Sequence, residues 1–76
     1  MNPQFRVTTR TGEPIAEGHQ LKVDNNLPVT YMGIAVEPWG DDNTGEWHPG
    51  EILVRYSWGA IEAVTDARAR VTINEI

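Results

Sequence analysis

Ile52, Val54, Tyr56 and Trp58 alternate with Leu53, Arg55 and Ser57. An apolar side chain at every second position means an extended chain with one buried face, because successive side chains of a strand leave opposite sides. The same pattern recurs in short lengths. Phe5, Val7 and Thr9 alternate with Arg6 and Thr8, and residues 19–23 turn Leu21 and Val23 one way and Lys22 the other. Residues 28–36 are rich in β-branched and aromatic side chains, with Met32, Ile34 and Val36 on one face and Val29, Tyr31 and Ala35 on the other. Turn chemistry separates these runs. Thr11-Gly12-Glu13-Pro14 follows the first, and Asp24-Asn25-Asn26 the second, where short polar side chains bond their own backbone. Trp58-Gly59 feeds a strand over 60–64. Gly33, inside a run, predicts a bulge or bend. Residues 66–70 (DARAR) carry good helix formers behind Asp66, a potential cap, and are long enough for one helical or 3₁₀ turn. Residues 71–73 make a last short strand.

Five to six short strands, one long hairpin loop, a tight hairpin and a single helical turn before the last strand predict an all-β fold, a small antiparallel barrel. The order is SH3-like, with Trp58-Gly59 as the distal hairpin and DARAR as the turn before the closing strand. The competing OB-fold requires a longer helix. The 76 residues form one domain, 1–76, and a domain of this size buries only about 60% of the surface its unfolded chain exposes. There is no cysteine to cross-link it. Idealised packing and self-association are the remaining common supports for so small a core, and a symmetric dimer is the default form of the second.

Residues 37–51, EPWGDDNTGEWHPGE, have no strand or helix period and carry two prolines and three glycines. They read as a loop. Trp39, Trp47 and His48 therefore sit on a long connection together with Glu37, Asp41, Asp42, Glu46 and Glu51. Long connections are where binding residues concentrate. If the loop folds back over the neighbouring hairpin, Trp39 and Trp47 join Trp58 in an aromatic face suited to an extended or proline-rich peptide. The expected partner-binding set is Trp39, Trp47, His48, Trp58, Asp41, Asp42 and Glu46. The competing assignment makes these rings a cap on an open barrel end, supplying missing core.

Other chemistries are poorly served. Asp41, Asn43 and Gly45 echo the start of a calcium loop, but its twelfth position falls on Ile52 instead of a bidentate Glu. His19 and His48 are the only imidazoles and have no third nitrogen or sulfur ligand at zinc spacing. Ser57, the only serine, has no histidine near it in sequence, so no nucleophile, base and orienting group assemble. No enzyme activity, metal or cofactor is expected. The net charge of −5 repels phosphate backbones. Arg6, Arg10 and Lys22, with Tyr31 as a stacking ring, are the residues a single-stranded nucleic-acid binder of Sm-like or OB-like kind would use. The longest apolar run, residues 32–36, is too short to span a bilayer, and residues 1–5 lack a signal peptide's basic and apolar regions. A soluble, cytoplasmic protein is expected.

The frame Arg10-Thr11-Gly12-Glu13-Pro14-Ile15, Gly18-His19-x-Leu21-x-Val23, Tyr31-Met32-Gly33 and Pro49-Gly50-Glu51-Ile52-Leu53-Val54 resembles small uncharacterised proteins of actinobacteria and their phages. Those chains carry a similar R-x-G-x-P-I, a glycine-led strand, an aromatic-x-glycine and a final strand pair around a glycine turn. The resemblance spans residues 7–73 and rests on turn chemistry and strand alternation. It implies an SH3-like fold and a phage origin and brings no activity; a virion structural component is a further alternative role. The chain departs from the pattern at His19, where Asp is usual, and in its Asp41-Asp42-Asn43 insert. The reading that results is a non-enzymatic module that binds a protein partner, or itself, through an aromatic and acidic loop.

Overall fold

The computed structural model describes residues 4–24 and 26–76. Eight strands and one helical turn follow in order: β1 (Phe5–Thr9), β2 (Gln20–Val23), β3 (Leu27–Val36), β4 (Trp39–Gly40), β5 (Trp47–His48), β6 (Glu51–Tyr56), β7 (Ile61–Thr65), α1 (Asp66–Ala69) and β8 (Val71–Glu75). The strands form a four-stranded sheet in the order β2-β3-β6-β7, a β1-β8 pair and a β4-β5 pair, all antiparallel. The all-β expectation holds. Among the described residues no ladder joins the sheets into a closed barrel.

The core lies between the four-stranded sheet and the β1-β8 pair. Val23, Val29, Ile52, Val54 and Val64 of the larger sheet are almost wholly shielded, and Val7, Val71 and Ile73 meet them from the smaller one. Residues that alternate in β6 do so because each inward side chain fills this layer while Leu53 and Arg55 leave the other face. Thr8 is buried in β1, and its hydroxyl accepts a hydrogen bond from the Asn74 amide of β8 at 2.9 Å, which removes the cost of an unpaired polar group there.

β3 departs from simple alternation. Its register against β6 slips between Tyr31 and Gly33 and again between Ile34 and Val36. Gly33 has φ of +121°, a conformation costly for any residue with a Cβ, and it marks the predicted bulge. Each slip leaves one extra residue on β3, and each extra residue reverses the face of everything beyond it. The expected grouping of Met32, Ile34 and Val36 on one face is therefore corrected. Val29, Tyr31 and Ile34 face the core, opposite Tyr56, Val54 and Ile52.

The turns are built as their residues require. Asp24 and Asn26 both adopt positive φ at the expected turn, whose Asn25 lies outside the described residues. After β6, the Tyr56 amide donates to the Ala60 carbonyl and the Gly59 amide to the Tyr56 carbonyl, both at 2.9 Å. With Gly59 at φ +92°, this is a three-residue hairpin loop closed by a left-handed glycine. Trp58 accordingly lies in the turn, beyond the end of β6. In α1 the cap is Thr65, not Asp66. The Thr65 hydroxyl accepts from the Arg68 amide at 3.3 Å, and the Asp66 carboxylate accepts from the Ala67 amide at 2.7 Å. Arg70, left-handed at φ 55°, ends the turn.

Candidate functional site

The segment expected to be an irregular loop contains a ladder of its own. Trp39 pairs with His48 and Gly40 with Trp47, in the same register that ends the main ladder at Val36↔Glu51. β3 and β6 thus continue, after a short break, as a two-stranded arm. At its base Gly50 and Pro38 are buried. A Cβ added at Gly50 would stand 2.6 Å from the Val36 carbonyl oxygen, 2.6 Å from the Ile73 side chain and 2.9 Å from Pro38. Only glycine fits that approach, and the contact pins the arm's root to β8.

The tip is closed by backbone bonds: the Asp41 amide donates to the Glu46 carbonyl at 2.8 Å, and the Gly45 amide to the Asp41 carbonyl at 2.7 Å. The Asp41 carboxylate accepts from the Asn43 amide at 2.9 Å, an Asx turn. Asp41 is thus a turn-builder, while Asp42 and Glu46 are exposed.

The arm's aromatic side chains stay outside the core. Trp39 is 49% exposed and Trp47 68%, and neither belongs to the core cluster. This answers the competing assignment of the rings as a barrel cap. Trp39 stacks on His48 with centroids 4.3 Å apart and planes at 20°. Trp47 lies over its cross-strand neighbour Gly40, where a Cβ would sit 3.5 Å from the ring. Because Trp47 is adjacent to His48, the partner of Trp39, the two indoles occupy opposite faces of the ribbon. They do not make one aromatic wall.

Trp58 is elsewhere. It is 65% exposed and stacks on Tyr56 with centroids 4.6 Å apart and planes at 13°. The arm leaves the Glu51 end of β6 and Trp58 follows the Tyr56 end, a separation of roughly 17 Å along a strand of that length. The expected joining of all three tryptophans is corrected, because a loop that extends the hairpin carries its rings away from the distal turn instead of back over it.

A polar cluster that the sequence did not announce lies beside Trp58. The Tyr56 hydroxyl donates to Glu62 Oε2 at 2.6 Å, Arg68 Nη1 donates to Glu62 Oε1 at 3.1 Å, and Arg68 Nε and Nη2 grip both oxygens of Asp24 at 2.9 and 2.7 Å. Bidentate pairing of this kind fixes geometry as well as charge. The hydrogen bond from Tyr56, then that from Arg68, hold the Glu62 carboxyl below its ordinary range. Arg68 likewise lowers Asp24. Donation to Glu62 pushes the Tyr56 hydroxyl upward. The cluster ties the β2–β3 turn, β6, β7 and α1 together. Its members are separated by up to 44 positions, which is why no local pattern marks it.

Of the nucleic-acid set, Arg6 and Tyr31 line one surface hollow together, and Arg10 and Lys22 do not join them there. Arg6, Arg10 and Lys22 are exposed, but Tyr31 is 5% exposed in the core, with burial foremost and Glu17 second in raising its hydroxyl's pKa. Little of the residue meets solvent. Two surface hollows, of about 550 and 460 Å³, are lined by residues of the sheet body, among them Gln20, Thr30 and Arg55 in one and Phe5, Glu17 and Tyr31 in the other. Neither includes the arm. Among the described residues no three His, Asp or Glu side chains converge as metal ligands, and no helix is long and apolar enough to cross a membrane.

Comparison with known proteins found no matching family model, no matching curated protein and no matching solved structure.

Proposed function

We propose that the chain is a non-enzymatic protein-interaction module that contacts a protein partner through the arm formed by β4 and β5, with Trp39, Trp47 and His48 as the contacting rings. The observation that carries this reading is the exposure of both indoles on a ribbon whose root is buried and whose rings lie outside the core. Tryptophan exposed on a rigid element costs little entropy when a partner covers it, and such rings dominate interface energetics. Asp42, Glu46 and Glu37 border the rings and suit the solvated rim of an interface better than its centre. The rings point to opposite sides, so a partner straddles the ribbon or two partners take one face each.

The same reading assigns the body to the SH3-like barrels. Its support is the order of elements: a long hairpin after β3, a tight turn after β6, a helical turn after β7, and β8 returning to β1. A phage-encoded protein working in the bacterial cytoplasm, or a virion component, fits the resemblance noted in the sequence. The test uses the immobilised chain and its Trp39→Ala/Trp47→Ala variant against one bacterial lysate. A protein retained by the first and lost by the second is expected, with both chains unfolding cooperatively. Equal retention by both would remove the arm from the interface.

A further inference from the structure

The arm is not the only surface that offers itself to a second molecule. β7 ends the four-stranded sheet and has a neighbour, β6, on one side. The direction of its backbone groups follows from one bond. The Tyr56 amide donates to the Ala60 carbonyl, and hydrogen-bonded and non-bonded pairs alternate along an antiparallel ladder. Through the pairs Arg55↔Ile61 to Glu51↔Thr65, this turns the backbone of Glu62 and Val64 toward β6 and that of Ile61, Ala63 and Thr65 outward. Among the described residues no hydrogen bond takes up the outward amides of Ile61 and Ala63.

Natural sheets defend such an edge with lysine, proline, a bulge or an inward-pointing charge. β7 reads IEAVT and pairs with β6 without a slip. Its one charge, Glu62, is already matched by Tyr56 and Arg68. Two other edges, β1 and β2, are guarded. On β1, Thr8 bridges Pro14 and the Ile15 amide donates to the Val7 carbonyl. β2 carries Lys22, and at its end the Asp24 amide donates to the Arg68 carbonyl.

We propose that β7 is a self-pairing edge: two copies join antiparallel about a twofold axis at Ala63, and their four-stranded sheets become one continuous sheet. The occupant is a second copy because the edge is complementary to itself. The outward groups fall at Ile61, Ala63 and Thr65, symmetric about Ala63. In that register Ala63 meets Ala63 of the other copy, Ile61 meets Thr65, and Glu62 meets Val64. No like charges are directly opposed, which matters in a chain of net charge −5. The smallest side chain of the strand stands on the axis, and Ile61, 58% exposed, gains a cover. The pairing is isologous and closes at two copies. It leaves the arm free, and so stands or falls separately from the partner reading above.

The experiment is sedimentation equilibrium across a range of concentrations, on the wild-type chain and the variants Ala63→Pro, Ala63→Lys and Trp39→Ala/Trp47→Ala. Proline at position 63 removes an amide that faces away from β6, which an edge strand tolerates. Lysine leaves the backbone whole and sets two like charges on the axis, so it serves if the proline chain fails to fold. A wild-type dimer is expected, weakened about tenfold or more by either Ala63 change and unaltered by loss of the tryptophans. Amide exchange supplies a second reading: Ile61 and Ala63 become protected as concentration rises. A wild-type chain that stays monomeric throughout, a dimer indifferent to Ala63→Lys, a dimer lost with Trp39 and Trp47, or growth beyond two copies would each overturn the proposal.

Discussion

The described residues hold two stacked aromatic pairs, nearly alike in their own geometry and opposite in what surrounds them. Tyr56 and Trp58 stack at the distal turn, where Tyr56 is 7% exposed and its hydroxyl is spent on Glu62. Trp39 and His48 stack on the arm, where both partners belong to the arm itself. In the first pair a core residue holds an exposed ring against the fold. In the second, two strands hold a ring up to solvent and the core is not involved. Ring stacking alone therefore says little about role. What distinguishes a structural pair from an available one is whether either member is anchored by burial and by a hydrogen bond outside the pair.

The contrast is testable along β6, the strand that joins the two ends. Truncation of the buried middle should be the most damaging change. Ile52→Ala, at a side chain fully shielded from solvent, is expected to cost about 2–5 kcal/mol in urea unfolding, through lost burial and the cavity left behind. A cost near zero would mean that the hairpin's body is as loosely held as its arm. Gly50→Ala, at the junction, should cost about 1–3 kcal/mol, because the new Cβ meets the Val36 carbonyl and Ile73 and the junction must shift to admit it. Its fluorescence should also report a change at Trp39, since the arm's root moves with Gly50.

Acid should separate the regions further. Asp24 and Glu62 have folded-state pKa values below their unfolded ones. Their contribution is therefore fully present above the unfolded values, near pH 4, and is lost as pH falls through the lower folded values. Unfolding followed from pH 6 down to pH 2 should show stability falling in that window. Arg68→Gln should flatten the fall, because both carboxylates then titrate closer to their ordinary range. Raised Tyr56 acts at the other extreme: its contribution is present below about pH 10 and lost as pH rises through its folded value. The smallest effect belongs to the arm. Trp39→Ala/Trp47→Ala should change unfolding free energy by about 0.5 kcal/mol or less, as exposed positions away from the core do. A loss of several times that would show the arm to be part of the folding unit.

The sequence supplied most of the body. Period-two alternation found β1 with its bounds, β6 to within two residues and the inward face of β6, and turn residues found the breaks between strands; in β1, Thr8 of the expected outward face is buried as well. It determined less in β3, where Gly33 announced an irregularity but not a second slip at Ala35, and face assignments failed beyond the first. On the arm it supplied the residues and missed the structure. Two-residue strands separated from their continuations by Pro38, Pro49 and Gly50 leave no period to detect, so a ladder read as a loop.

The tertiary structure alone decided three things. It set Trp39 and Trp47 on opposite faces, because cross-strand register follows from where the bulges fall and not from spacing along the chain. It put Tyr31 inside, because that residue precedes the first bulge and pairs with Val54. It also brought Asp24, Tyr56, Glu62 and Arg68 together from four elements. Local sequence fixes which way a side chain leaves its own strand, since that depends on backbone geometry over two residues. Which other side chains it then meets depends on register and sheet order, and those are settled only when the whole core packs.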